Sequence, residues 1–250
     1  MIAGTFTFYN EIELFVMQME VLLSLCDIVI IQGDNPPDEL IELAKSYERT
    51  GKVYFMLNQK DNNFFKRDEL GDRERLLIKA RELGADCVFH TETDEILRLQ
   101  DIPKVKELIK NYNYDHIIQF KKYDLWYNAH NYRLSYHINI NAGKEIPMID
   151  PPQRIECIFP IKDATYGSKE IPNFHCERVP YHYKNGKPKT KFYDDIHVIH
   201  FGYFRKSQAE KKKEFYQTDK SIPGDIFGYD MLIDDKQFIK EFGMGILERK

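Results

Sequence analysis

Over its first hundred residues the chain repeats one pattern, and that repetition limits the folds open to it. A short β-branched or aromatic run is followed, each time, by a longer segment with apolar side chains at helical spacing. The strand-like runs are Ile2 to Phe8 (IAGTFTF), Asp27 to Gln32 (DIVIIQ), Val53 to Leu57 (VYFML) and Asp86 to Thr91 (DCVFHT). Between them lie EIELFVMQMEVLLSLC, apolar along most of its length, a face of Leu40, Ile41, Leu43, Ala44 and Tyr47, and a face of Leu76, Leu77, Ala80 and Leu83. Val105, Leu108, Ile109 and Tyr112 follow at i, i+3, i+4 and i+7. Strands alternating with helices predict an α/β layer with a mostly parallel sheet flanked by helices. Helix ends are marked too: Asn10 with Glu13 reads as a capping box, Gly84 as a C-terminal stop, and Asp101 as the next N-cap.

The pattern changes after about residue 115. HIIQF (116–120) reads as a strand and YRLSYHINI (132–140) alternates in part, while Pro and Gly become frequent. The stretch 115–200 is expected to add strands and long surface loops to the same sheet, and loops of that length are usually functional. A basic, helix-like tail begins at Ser207 (SQAEKKKEFYQTDK). No linker separates the halves, so residues 1–250 are expected to form one domain, with 1–114 as its first half and 115–250 as its second. The net charge of −4 lacks the positive excess of a nucleic-acid binder, so no nucleic-acid partner is expected. The sequence has no run of about eighteen apolar residues, so no transmembrane segment is expected. The opening MIAGTFTFYNEIELF has no basic, apolar and cleavable secretory pattern. Four scattered cysteines (Cys26, Cys87, Cys157, Cys176) form no C-x-x-C pair, and a reduced cytoplasmic protein is expected.

The chemistry gathers in VFHTETDEIL, where Glu92, Asp94 and Glu95 crowd three carboxylates into four positions. Such groups raise one another's pKa unless a cation or water relieves them. An acidic turn in water would explain the string alone. Its place beyond a buried strand adds meaning, because ligands of open parallel sheets bind outside the carboxyl ends of the strands. On an extended chain Glu92 and Asp94 would point the same way and converge on one cation. Mg²⁺ and Mn²⁺ favour such oxygen ligands, and Mg²⁺ commonly combines one or two carboxylates with substrate phosphates.

GADCVFHTETDEIL resembles the segment of family-2-type glycosyltransferases of the GT-A fold in which a strand ends in D-x-D and a further acid. FTFYNEIELFVMQMEVLLSLCDIVIIQGD resembles their N-E helix, following strand and nucleotide-facing loop. RERLLIKARELGAD is similar to their Arg-bearing helix, and IHVIHFGYFRKSQAEKKKEFY to the late H-x-G-x-x-R…K segment of many bacterial members. The pieces cover most of the chain in order, with 121–190 the weakest part. Two departures stand out: the first acid is Glu92 rather than Asp, and Gln32 and Gly33 occupy positions where members often carry an acid. The resemblance implies a GT-A (Rossmann-like) nucleotide-sugar half and a loop- and strand-rich acceptor half.

It also implies an activity: transfer of a sugar from a nucleoside diphosphate donor, a UDP-sugar first among them, to a hydroxyl of a saccharide or glycoconjugate. The implied cofactor is Mn²⁺ or Mg²⁺ on Glu92 and Asp94, with His200 as a third ligand or phosphate contact, or else a histidine satisfied at a strand end. Arg205 and Lys213 would meet the diphosphate, leaving Lys211 and Lys212 on a solvated helix face. Asp34 is the nearest candidate for base or ribose, and Asn10 lies near the nucleotide or serves as a cap. Arg73 either contacts the donor or forms an exposed ion pair with Glu74 or Glu69. Among Asp124, Asp150 and Glu156, Asp124 is the first candidate for general base, because it follows a strand and sits beside Trp126 and Tyr127. Two other readings stay open. One is a metal-dependent phosphoester hydrolase or nucleotidyltransferase drawing on His175, His182 and His197; the other is a non-catalytic GT-A-like module.

Overall fold

The structure is a computed structural model that describes residues 1–58, 68–125, 154–167 and 177–202. It also describes the backbone at 131–133, 138–139, 144–145 and 239–241, and positions 204, 207 and 210. In chain order its elements are β1 (Ile2–Phe8), α1 (Ile12–Leu25), β2 (Ile28–Asp34), α2 (Asp38–Glu48), β3 (Val53–Asn58), α3 (Glu69–Glu82), β4 (Cys87–His90), β5 (Glu95–Leu97) and α4 (Ile102–Lys110). The second half adds β6 (His116–Leu125), β7 (Asn131–Arg133), β8 (Ile138–Asn139), β9 (Lys144–Glu145), β10 (Arg154–Pro160), β11 (Ala164–Thr165), β12 (His182–Tyr183), β13 (Lys189–His200) and β14 (Ile239–Glu241).

Among the described residues ten strands form one sheet, ordered β14-β7-β6-β10-β4-β1-β2-β3, with β13 beside β6 and β5 beside β13. The first four strands pair in parallel, β4-β1-β2-β3, as the alternating sequence predicts. Beyond β4 the sheet is mixed: β10 runs antiparallel to β4 and β6, whereas β13 runs parallel to β6. The chain leaves β1 toward β2 on one side and reaches β4 on the other, so the strand order reverses beside β1. That is where a doubly wound sheet opens a crevice at its carboxyl ends.

Two apolar layers hold this sheet. On one face Phe15, Met19 and Leu22 of α1, Leu40 and Ala44 of α2 and Val105 of α4 pack with Phe6, Ile31 and Phe89. On the other, Leu70, Leu76, Leu77 and Ala80 of α3 cover Ala3, Ile30 and Val88. Gly4 brings α1 close to β1, since a Cβ there would meet Cys26 Sγ at 3.0 Å and Leu22 Cβ at 3.2 Å. Cys26, Cys87 and Cys157 are buried free thiols, and Cys176 lies outside the described residues.

The helix ends depart from the sequence reading in two places. α1 starts at Ile12 with Glu11 in the cap position and no side-chain cap bond, so Asn10 is exposed and does not cap it. Asp101 occupies the N-cap of α4, but its carboxylate is taken by Arg98 at 2.7 Å and by His197 Nδ1 at 2.9 Å. Burial pushes the Asp101 carboxyl up, yet His197 and Arg98 prevail and hold it below its ordinary range. Gly84 does end α3, in a left-handed conformation at φ +80°. Among the described residues no helix is long and apolar enough to cross a membrane.

Because α1 is held by side chains with no exposure, Leu22→Ala should lower unfolding stability by about 2–5 kcal/mol. Urea denaturation of both proteins measures the difference.

Candidate active site

β1 and β4 lie side by side, and their carboxyl ends deliver the segment 91–94 to the crevice. Thr91 N–H donates to Thr5 O at 3.0 Å, and the Thr93 hydroxyl donates to Thr7 O, so the segment is tied down at two points. It does not continue as a strand. A turn forms instead, with Glu95 N–H donating to Glu92 O at 3.1 Å. This corrects the expectation that Glu92 and Asp94 converge by extended-chain alternation: the turn sends the two carboxylates to different partners.

Glu92 faces α3. Its Oε1 accepts from Arg73 Nη2 at 2.8 Å and lies 3.4 Å from His90 Nε2. Burial pushes the Glu92 carboxyl up, but Arg73, His90 and Arg178 outweigh it and hold it well below the usual carboxylate range. Arg73 is buried rather than exposed and pairs with Glu69 as well as Glu92. Glu74, the other expected partner, instead accepts from Tyr166 N–H at 2.9 Å.

Asp94 faces the opposite way, toward β13. Its Oδ2 lies 3.2 Å from His200 Nε2, and its backbone carbonyl accepts from Phe201 N–H at 2.7 Å. His200 is placed by two strand registers at once, opposite Glu95 on β5 and opposite Asp124 on β6. Paired residues share a face, so Glu95, His200 and Asp124 form one rung across three strands. His200 Nδ1 is 2.6 Å from Asp124 Oδ1, and Lys122, two residues back on the same face of β6, is 3.3 Å from that carboxylate. Burial pushes the Asp124 carboxyl up, but Lys122 and His200 overcome it and hold it far below its usual value.

The remaining carboxylate of the cluster, Glu95, accepts from Glu92 N–H at 3.2 Å and pairs with Arg178, with Lys122 at 3.9 Å. Arg178 and Lys122 are functional candidates that the sequence reading missed. Lys122 was within reach, through its i, i+2 relation to Asp124. Arg178 had no local signal, since only the fold brings the loop before β12 beside β5. Among the described residues the cluster gathers five carboxylates (Glu69, Glu92, Asp94, Glu95, Asp124) and three permanent cations (Arg73, Lys122, Arg178). A divalent cation is what the resemblance implies at this place.

The donor set can be tested against such a cation. A neutral imidazole has one N–H, so His200 can donate to only one of its two carboxylate neighbours. A proton or a metal between the ring and Asp94 removes the repulsion at the other. Two ligands of one small cation stand ~3 Å apart, and Asp94 and His200 match that spacing. A carboxylate behind the other ring nitrogen, as Asp124 is here, is the usual support of a metal-binding histidine. Asp94 and His200 therefore fit a divalent cation, whereas Glu92 is committed to Arg73. Among the described residues no third His, Cys, Asp or Glu completes a metal group.

The other predicted residues lie apart from this cluster. Asp34 ends β2, two strands from β4, half-buried, and Asn10 is exposed beyond β1, its N–H donating to Glu11 Oε2 at 3.1 Å. Glu156 receives Gln119 Nε2 at 3.1 Å on β10. His197 stacks on Tyr123 and belongs to Asp101, and His182 sits on β12. Arg205, Lys211, Lys212, Lys213, Trp126, Tyr127, Asp150 and His175 lie outside the described residues. Open surface cavities lie elsewhere, among them one at the amino end of β4 lined by Arg81, Asp86 and Lys162 and another beside α4 and the start of β13.

His90 gives this region a pH signature. Burial lowers it to about 4, against the pull of Glu92. The unfolded chain, with a histidine near 6.5, binds more protons between pH 6.5 and 4 than the folded one. Stability should therefore fall as pH drops through that window, by roughly 3 kcal/mol from this residue. Denaturation curves of wild type and His90→Gln at several pH values should show the variant losing correspondingly less over the same window.

No protein-family model matches the chain, and no curated protein matches it. Solved structures that resemble it in course include S. aureus TarS 1–349, at 10% identity over 93% of this chain and 69% of that one, with a TM-score of 0.46. The same protein in complex with UDP-GlcNAc has a TM-score of 0.48 at 10% identity, covering 93% of this chain and 70% of that one. A Bacillus anthracis protein named as a glucose-1-phosphate thymidylyltransferase, in complex with a sucrose, also matches at 10% identity and a TM-score of 0.48, over 91% of this chain and 99% of that one. None of these likenesses is close enough to carry a functional assignment.

Proposed function

We propose that this protein is a glycosyltransferase that moves a sugar from a nucleoside diphosphate donor, a UDP-sugar first among them, to a hydroxyl of a saccharide or glycoconjugate. The observation that carries the reading is the Asp94–His200–Asp124 chain at the carboxyl end of the sheet. The sequence resemblance to GT-A transferases points to the same segment. Asp94 and His200 would hold Mn²⁺ or Mg²⁺, and the cation would supply charge neutralisation for the departing diphosphate.

The chain's own residues divide the remaining work. Asp124, hydrogen-bonded to Nδ1, orients the His200 ring and keeps Nε2 directed at Asp94. Its low pKa and its position between Lys122 and His200 suit a positioning carboxylate; a general base needs a higher affinity for protons. We therefore replace the general-base expectation for Asp124 with this role. Glu92 acts through Arg73, fixing the guanidinium against α3 and the start of the turn. A two-metal hydrolase would need further acids gathered at the site, and each carboxylate beside Asp94 is committed to a cation.

Incubating the protein with a panel of nucleotide sugars and Mn²⁺, and measuring nucleoside diphosphate release, tests the proposal. Release should require an acceptor, stop with chelator, and fall at least about 100-fold in Asp94→Asn. Release indifferent to both chelator and that substitution would sink the metal assignment, and phosphoester cleavage without sugar transfer would favour a hydrolase.

Asp124→Asn separates the two roles considered for that residue. As a positioning group it should weaken Mn²⁺ binding about 10–100-fold, read by the paramagnetic signal of free Mn²⁺. Unchanged Mn²⁺ affinity with abolished turnover would restore the general-base role.

A further inference from the structure

Arg178 is nine-tenths buried, and its two terminal nitrogens are treated differently. Nη2 pairs with Glu95, while Nη1 is buried and has no hydrogen-bond partner. Glu95 in turn accepts from Glu92 N–H and lies opposite His200 on β13, which places the guanidinium at the turn that carries Asp94. An unpaired donor on a buried cation is costly, because neither water nor protein replaces the bonds it lost. Such a group beside the turn at the carboxyl end of β4 calls for an acceptor oxygen from outside the chain. A planar guanidinium with one arm pinned presents its other arm in a fixed direction, which suits a phosphate oxygen.

The geometry points to Arg178 Nη1 as the donor that grips the diphosphate of the sugar nucleotide. This rests on the transferase reading above. Glu95 holds the guanidinium from behind, and Asp94 with His200 marks the cation side of the same phosphates. Substrate anion then completes a cluster that the protein leaves one acceptor short. The pairing also ties the segment 177–180 to the turn at 92–95, so diphosphate binding and loop position are linked through one side chain.

Binding of inorganic pyrophosphate with Mg²⁺, followed by titration calorimetry, isolates this contact from base and sugar. Arg178→Gln should weaken pyrophosphate binding about 10–100-fold and leave Mn²⁺ affinity at the wild-type value. Should Arg178→Gln fail to fold with Glu95 uncompensated, the pair Glu95→Gln with Arg178→Gln removes both charges and reads the same affinity. Wild-type pyrophosphate affinity in the variant overturns the assignment and leaves the transferase reading standing. A parallel loss of Mn²⁺ binding also overturns it, since Arg178 would then only brace the turn. A wild-type protein that binds neither pyrophosphate nor any nucleoside diphosphate would remove the transferase reading itself, and this inference with it.

Discussion

His200 stands between two carboxylates, Asp94 at Nε2 and Asp124 at Nδ1, and the strands around it are arranged so as to bring it there. Lys122 stands behind the ring against Asp124, which leaves Nε2 directed at Asp94. Placing that ring takes three strands from distant parts of the sequence, β5, β13 and β6, in one lateral rung. The parallel first half supplies the acid; the mixed second half supplies the histidine and its support.

The first half of this architecture was legible because its signals are local. β-branched runs, helical spacing and Gly84 report on nearby backbone, and parallel β4-β1-β2-β3 pairing follows from their alternation. The two caps failed for a different reason. Asn10 and Asp101 have the right residue type, but tertiary partners decide what such a side chain bonds, and Asp101 is held by Arg98 and His197. The carboxylate string was legible as a cluster beyond a buried strand, and its local geometry was misread. Extended geometry was assumed through Glu92, whereas a turn separates it from Asp94 and lets α3 claim it.

Charge balance explains what the sequence concealed. VFHTETDEIL shows three acids and no cation, and nothing nearby tells which arginine or lysine answers each. Arg73 arrives from α3, Lys122 from β6 and Arg178 from the loop before β12, so the compensating charges are spread over more than a hundred residues. Glu92, one methylene longer than the aspartate of the resembled motif, has the reach to meet Arg73. That reach ties the turn to α3, while Asp94 is the carboxylate directed at His200.

The pairing of β13 with β6 shifts between Tyr193 and His197: Tyr193 lies opposite Phe120, but His197 lies opposite Lys121. Three residues, Asp194, Asp195 and Ile196, are thus extra on the β13 side. Were the register that begins the pair kept through these residues, His197, not His200, would stand opposite Asp124. The bulge therefore chooses between two histidines of the same strand. One goes to the crevice, and the other is left against Asp101 at the end of α4 as a structural group. The shift in register, with neither residue altered, sets which imidazole faces Asp94 and which braces Asp101.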